Sequence, residues 1–214
     1  MGSRVRSGGH IPVPPHCAVE PELLAREGWE GIFGRTAPLV VEVGFGNGQS
    51  LAEMARRQPE CNFVGVERYG TGIEKLGKQI LRENVANLRL IKGDGVETLE
   101  SCFAPGSITA FHSNFPDPWP KLRHHKRRFV DPALAAILFP LLAPVADVFL
   151  ATDHECYARQ MRDVFEAHPG YVNQAGTGQF LYAMPGRIRT KYEVKFAARG
   201  ATIHYLWYRR AERA

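Results

Sequence analysis

One α/β domain is predicted, doubly wound around a mostly parallel seven-stranded sheet with an antiparallel C-terminal edge strand. Three observations predict it. From Pro38 onward short β-branched runs alternate with helix-length segments; Pro59, Pro144 and Pro169 stand near the ends of those segments; and acids recur at the carboxyl ends of consecutive runs. Such alternation places helices on both faces of a parallel sheet. A length of 214 residues suits one well-cored domain.

Taken in order, residues 1 to about 35 mix Gly, Pro and Arg without periodicity, so an irregular or mobile arm is expected before a domain at 36–214. The runs LVVEVG (39–44), NFVGVE (62–67), LRLIKGD (88–94), SITAFHSNF (107–115) and ADVFLATD (146–153) read as strands. Helices are expected over 48–58, 71–86, 132–142 and 154–167. The tail ATIHYLWYRR (201–210) reads as a late strand whose partner is expected near 189–197.

Composition excludes several classes. No run of about 18 apolar residues occurs, so no membrane span is expected, and the opening MGSRVRSGGH lacks the apolar stretch of a secretory signal. Cys17, Cys61, Cys102 and Cys156 are scattered without a CxxC pair, which predicts neither a metal site nor disulfides and fits a cytoplasmic protein. The formal net charge is +5, and residues 121–128 alone supply five positive charges. The basicity is therefore local, as a binding patch requires.

In a doubly wound sheet, ligands gather beyond the carboxyl ends of the strands. EVGFGNG (42–48) closes the first strand and opens a helix there. Gly44, Gly46 and Gly48 allow close backbone approach to a ligand, and the helix start offers partly positive amides. Glu67, at the end of the second strand, can bond two ribose hydroxyls. Nicotinamide enzymes and methyltransferases share that feature. Asp94, after the third strand, can face an adenine amine and favours the second class. The order E-x-GxGxG, VE, GD resembles a class I S-adenosylmethionine methyltransferase with its Rossmann-like sheet, and Glu42 then lies toward the cationic methionine end of the cofactor.

The fourth strand ends in NFPDPW (114–119). Pro116 and Pro118 fix their own φ angles and restrict their predecessors, so Asp117 is restrained on both sides. A flat base could stack on Phe115 or Trp119 while Asp117 accepts hydrogen bonds from its edge. The basic run beyond it can hold phosphates. A base-modifying methyltransferase is thus the reading of the residues themselves, with the target atom left open.

The block NFPDPWPKLRHHKRRFVDP, together with ATDHECYARQM and TKYE (190–193), resembles the bacterial tRNA (guanine-N7-)-methyltransferase family over residues 38–210. The resemblance implies methyl transfer from S-adenosylmethionine to N7 of a guanine in the tRNA variable loop, leaving S-adenosylhomocysteine. It also implies that Glu42, Glu67, Asp94 and Asp117 contact the cofactor, with Asp117 catalytic. Lys121, Asp153, Thr190, Lys191, Tyr192 and Glu193 match substrate-contacting positions, and Arg123, His124, His125, Lys126, Arg127 and Arg128 the RNA-facing segment. Asp153 also stands where a residue could cap a helix, and Thr190 with Glu193 has the spacing of a capping box. The chain departs from the family at LAPVAD (142–147), where a glycine-pair turn is usual, and at Gly95, where alanine often stands. Tests must separate this reading from an exocyclic-amine methyltransferase and a non-catalytic RNA-binding module. A monomer or homodimer is expected.

Overall fold

The β-branched runs become strands of one sheet, and the central ones are buried on both faces. β1 (Leu39–Val43) and β2 (Asn62–Glu67) are buried at every position, as parallel strands covered on both sides must be. The computed structural model describes residues 17–184 and 186–211. Its remaining strands are β3 (Leu88–Lys92), β4 (Ile108–Asn114), β5 (Leu142–Thr152), β6 (Tyr171–Asn173) and β7 (His204–Arg210). The sheet order is β3-β2-β1-β4-β5-β7-β6, with β7 antiparallel to both neighbours and the other pairs parallel. Strand order reverses between β1 and β4, which sets the ligand crevice there.

Alternate strand residues feed two cores. Val41, Val43, Phe111, Val148 and Leu150 pack against α1 (Pro21–Phe33), α4 (Gly95–Cys102), α5 (Pro132–Leu141) and α6 (Glu155–Glu166). Val40, Phe63 and Leu90 pack against α2 (Gln49–Arg57) and α3 (Gly70–Glu83) through Leu51, Ala55, Leu76 and Ile80. The doubly wound expectation holds. Beyond α2, the same face of β4, β5 and β7 carries stacked rings from His112, Phe149 and Trp207 on the floor of a 610 Å³ groove.

Three expectations change. Within the span read as an irregular arm, Pro21–Phe33 is a helix, with proline in its first turn and a break at Gly28, whose φ is 62°; residues 1–16 of that arm lie outside the described part. The 189–197 stretch is no strand, because Thr190 and Glu193 close a reciprocal capping box and start α7 (Lys191–Ala197). The late strand β7 therefore pairs with β5 and with the short β6, which takes the sheet edge. Among the described residues no helix is long and apolar enough to cross a membrane, and no cluster of His, Cys, Asp or Glu could hold a metal ion.

Candidate active site

The cleft is built at the ends of β1, β2, β4 and β5, with α7 over it. A 410 Å³ cavity there is lined by Glu42, Gly44, Gly46, Glu67, Asn114, Asp117, Asp153, Thr190, Lys191 and Tyr192, among others. It meets a 570 Å³ cavity through Gly46, Asn47, Glu67, Tyr69, Lys191 and Tyr192, to which Lys75 and Lys195 add positive charge. Nine of the residues singled out in the sequence thus converge from distant parts of the chain.

On the β1 side the loop geometry depends on glycine. Gly44 (φ 78°) and Gly46 (φ 62°) adopt backbone that side chains disfavour, and a Cβ at either would meet nothing within 4 Å. That open space faces the cleft. Gly48 serves packing instead: a Cβ there would lie 2.3 Å from Leu76 Cδ2. Glu67 pins the loop, since its Oε2 accepts from Gly46 N and its Oε1 from Tyr69 N, each at 2.9 Å. Its remaining lone pairs stay available to hydroxyl donors.

Glu42 is 1% exposed. Its Oε1 accepts from Asn114 Nδ2 at 2.8 Å, while Oε2 is buried without a partner. Burial pushes this carboxyl above the ordinary carboxylate range; the Asn114 bond and the Arg187 charge oppose that, and Glu67 adds to it. Asp94 lies apart from both cavities. It caps α4, Oδ1 accepting from Val96 N at 2.9 Å, and Oδ2 sits 3.8 Å from Arg68. Both side chains of that pair are well exposed, so the contact is weak.

On the β4 side two residues that precede prolines depart from extended backbone. Phe115 (φ 53°) and Trp119 (φ 42°), each preceding a proline, occupy the left-handed region. Bulky residues there carry strain, which surrounding contacts must hold. Phe115 N donates to Ala151 O at 2.8 Å and its ring meets Phe196. Beside Trp119, Arg128 Nε donates to Pro118 O at 2.8 Å, while Arg128 Nη1 donates to Gln160 Oε1 at 2.7 Å and its guanidinium lies 4.8 Å from the Tyr157 ring centroid. At 3% exposure it cannot meet a phosphate, which corrects its assignment to the RNA-facing segment. The run turns as a 3-10 helix (Leu122–Arg127), leaving Lys121, Arg123, Lys126 and Arg127 exposed and His124 and His125 partly buried. Arg127 stacks over Trp119 at 5.0 Å and His124 meets it edge-on, so that indole is already covered in part.

Asp153 is free of helix capping, because His154 caps α6 through Nδ1. Glu193 is corrected as well. It is 1% exposed, ion-paired with Arg187 at 3.1 Å, and accepts from Tyr205 Oη at 2.6 Å, so it braces the turn rather than lining the cavity. The sequence assigns no role in the cleft to Asn114 or Tyr69, and marks Arg187 only as the start of a second basic stretch, 187–195, that could meet tRNA. Asn114 opens NFPDPW and Arg187 stands three residues before TKYE, but their contacts span 72 and 73 positions.

An acid-lined, glycine-floored crevice at the switch point of this sheet defines a class I methyltransferase domain. Comparison with known proteins agrees and goes further. A family model described as "Putative methyltransferase" matches residues 36–206. The tRNA (guanine-N(7)-)-methyltransferase of Chromohalobacter salexigens is 42% identical over 189 residues, covering 87% of this chain and 77% of that protein. Its counterpart in Leifsonia xyli subsp. xyli is 42% identical, covering 84% and 79%. Among solved structures, a 30S ribosomal A1408 methyltransferase from an uncultured bacterium superimposes with a TM-score of 0.61 over 90% of this chain and 95% of that one, at 13% identity, a likeness of fold alone. The chain belongs to the bacterial tRNA (guanine-N7-)-methyltransferase family, within the S-adenosylmethionine-dependent methyltransferases.

Proposed function

We propose that this chain methylates N7 of a guanine in the tRNA variable loop, using S-adenosylmethionine and releasing S-adenosylhomocysteine, in the cytoplasm. The convergence of Glu42, Glu67, Asp117, Asp153 and Thr190–Tyr192 on one cavity carries the reading. The residues fit the cofactor on two observations. Glu42 Oε2 is a buried acceptor awaiting a donor, which suits an ammonium group, and the open Cβ positions of Gly44 and Gly46 leave room beside Glu67 for a ribose. Asp94 Oδ2, which lies outside both cavities and 3.8 Å from Arg68, is the oxygen assigned to an adenine amine in this reading. When bound, the cofactor supplies an electrophilic methyl group on a sulfonium.

Guanine N7 carries a free lone pair, so no general base is required, and the product base gains positive charge. Asp117, held between two prolines and next to the Pro118 carbonyl that Arg128 bonds, accepts from the guanine edge in this reading. Its attraction grows as charge develops on the ring, which lowers the barrier more than it tightens substrate binding. Asp153 and the Thr190–Tyr192 turn wall the acceptor side, with Tyr192, Phe196 and Phe115 offering ring faces. Lys121, Arg123, Lys126 and Arg127 meet the phosphates. The carboxylate and the cations therefore act on different parts of one substrate.

Nucleoside analysis tests this directly. A tRNA incubated with the protein and methyl-labelled cofactor should yield labelled 7-methylguanosine. Label on an exocyclic amine, or unlabelled tRNA from protein that binds the cofactor, overturns the proposal.

A further inference from the structure

A chain of buried and part-buried polar groups links the β1 side of the cleft to the turn before α7. Asn114, whose Nδ2 bonds Glu42, accepts at Oδ1 from Arg187 Nη2 at 2.6 Å. Its amide has one workable orientation, because a guanidinium only donates and an ionised carboxylate only accepts. Arg187 Nε then donates to Glu193 Oε2 at 3.1 Å, and the Arg187 side chain is 8% exposed. Glu193 closes the capping box, with Thr190 N 3.3 Å from Oε2 and Thr190 Oγ1 accepting from Glu193 N at 3.0 Å. Lys191 and Tyr192 follow directly. One buried cation thus stands between two buried carboxylates. A second cation, Arg189, reaches Glu193 at 3.4 Å but is 58% exposed and therefore screened.

Resting on the function proposed above, we infer that Arg187 is a positioning residue that couples the two halves of the cleft, holding Glu42 as an anion through Asn114 and the Thr190–Tyr192 turn through Glu193. The groups facing Glu42 are few. Glu67 on β2 opposes its ionisation; Asn114 on β4 and Arg187, which precedes α7, favour it. His112 on β4 is its register partner, but burial and the Arg187 charge push that imidazole down to about 3, so it is neutral. Arg187 is the cation Glu42 shares with Glu193. A ligand cation at Glu42 Oε2 shifts how that shared charge is divided, and the change reaches the turn that faces the RNA. Cofactor and tRNA affinities are linked through it, each raising the other by the same factor.

Two substitutions push Glu42 in opposite directions. Arg187→Met keeps the apolar stem and removes the cation, so Glu42 takes up its proton at higher pH. Glu193→Gln keeps the size and leaves Arg187 undivided, so Glu42 stays ionised to lower pH. A purely structural role would move both variants the same way. NMR of glutamate carboxyl-labelled, cofactor-free protein, with Glu42→Gln to assign the signal, reads the titration directly. Calorimetry with S-adenosylmethionine at pH 6 and pH 8 reads its consequence. Arg187→Met should bind more weakly at pH 6 than at pH 8, because a protonated Glu42 no longer attracts the ligand's cation; Glu193→Gln should show a smaller difference than the parent, and Arg187→Lys should restore part of the loss. Shifts in the same direction, or titrations that superimpose on the parent, overturn the inference. Should Arg187→Met fail to fold, the downward shift in Glu193→Gln and an upward one in Arg187→Lys decide it. The titration needs no cofactor. Opposite shifts in a protein that binds no S-adenosylmethionine would leave the charge chain standing and remove the functional reading alone.

Discussion

The β1 side of the cleft and the β4 side carry their motifs into the site in different ways. On the β1 side, Glu42, Gly44, Gly46 and Glu67 each line the cavity, as their motif order implies. On the β4 side a continuous basic run divides by face, with Arg123, Lys126 and Arg127 exposed and Arg128 buried against Tyr157. The cause is local geometry. A strand-to-helix loop presents consecutive backbone groups to one ligand, so sequence order maps onto the site. No residue of the 3-10 helix Leu122–Arg127 is buried; the chain leaves it at Arg128 in extended backbone, and there the run of charge turns from water to the core. Counting charges overstates the binding face unless the turn is known.

The strongest break of that contrast is Asp117→Ala. If Asp117 works on the developing charge, kcat falls a hundred- to a thousandfold, about 3–4 kcal/mol, while tRNA affinity changes only a few-fold. Single-turnover methylation with a parallel binding titration measures both. A rate near that of the parent would make the β4 loop a scaffold only, and the two sides would differ less than argued.

Splitting the basic run sharpens the contrast next. Arg128→Ala strands the Pro118 carbonyl and the Gln160 amide oxygen in partly buried surroundings, which should cost about 2–3 kcal/mol in urea unfolding. Replacing Arg123, Lys126 and Arg127 together by Ser should leave stability unchanged. It should flatten the salt dependence of tRNA affinity by about 0.7–0.9 of a log unit for each phosphate no longer neutralised. Equal stability losses in the two variants would erase the division by face.

These cases show what was legible. The sheet, its switch point and the β1-side acids follow from periodicity and local order, which are properties of neighbouring residues. Arg128 and Glu193 were read with their neighbours' roles because burial is set by partners 32 and 12 positions away, Gln160 and Tyr205. The Asn114–Arg187 bond spans 73 positions and leaves no periodic trace. Helix α7 was misread as a strand although its capping box was visible, since the late strand seemed to require a neighbour in sequence.

Where the two sides meet, Glu42 on β1 is in register with His112 on β4, and burial shifts them oppositely. The His112 imidazole, its Nδ1 buried without a partner, is held down to about 3 against an ordinary 6.5. The folded state therefore keeps it neutral while the unfolded chain protonates it below pH 6.5. Its contribution is complete above pH 6.5 and is lost as pH falls toward 3, at no more than about 1.4 kcal/mol per unit. Thermal unfolding of His112→Phe, which preserves the stack on Phe149, should fall less steeply between pH 7 and pH 5 than the parent. Parallel curves would mean that the imidazole titrates freely in the fold.

The smallest effect lies at a departure from the family pattern. At LAPVAD the pairing of β4 with β5 slips: Ile108 stays opposite Leu142, yet Ala110 meets Asp147, so the bulge absorbs extra residues from β5. Val145 sits in that bulge at φ 56°, a conformation that β-branched side chains resist, and it is 50% exposed. Val145→Gly would relieve about 1–2 kcal/mol of left-handed strain. It would also free the unfolded chain at a cost of about 0.5–1 kcal/mol and give up the modest burial of one half-exposed side chain. The balance favours glycine by about 0.5 kcal/mol, and nothing in the cleft touches the site. Chemical denaturation should show the gain, with kcat and KM unchanged. A loss of stability instead would mean that the packed half of the valine outweighs its backbone strain, and that this loop has adapted to do without glycine.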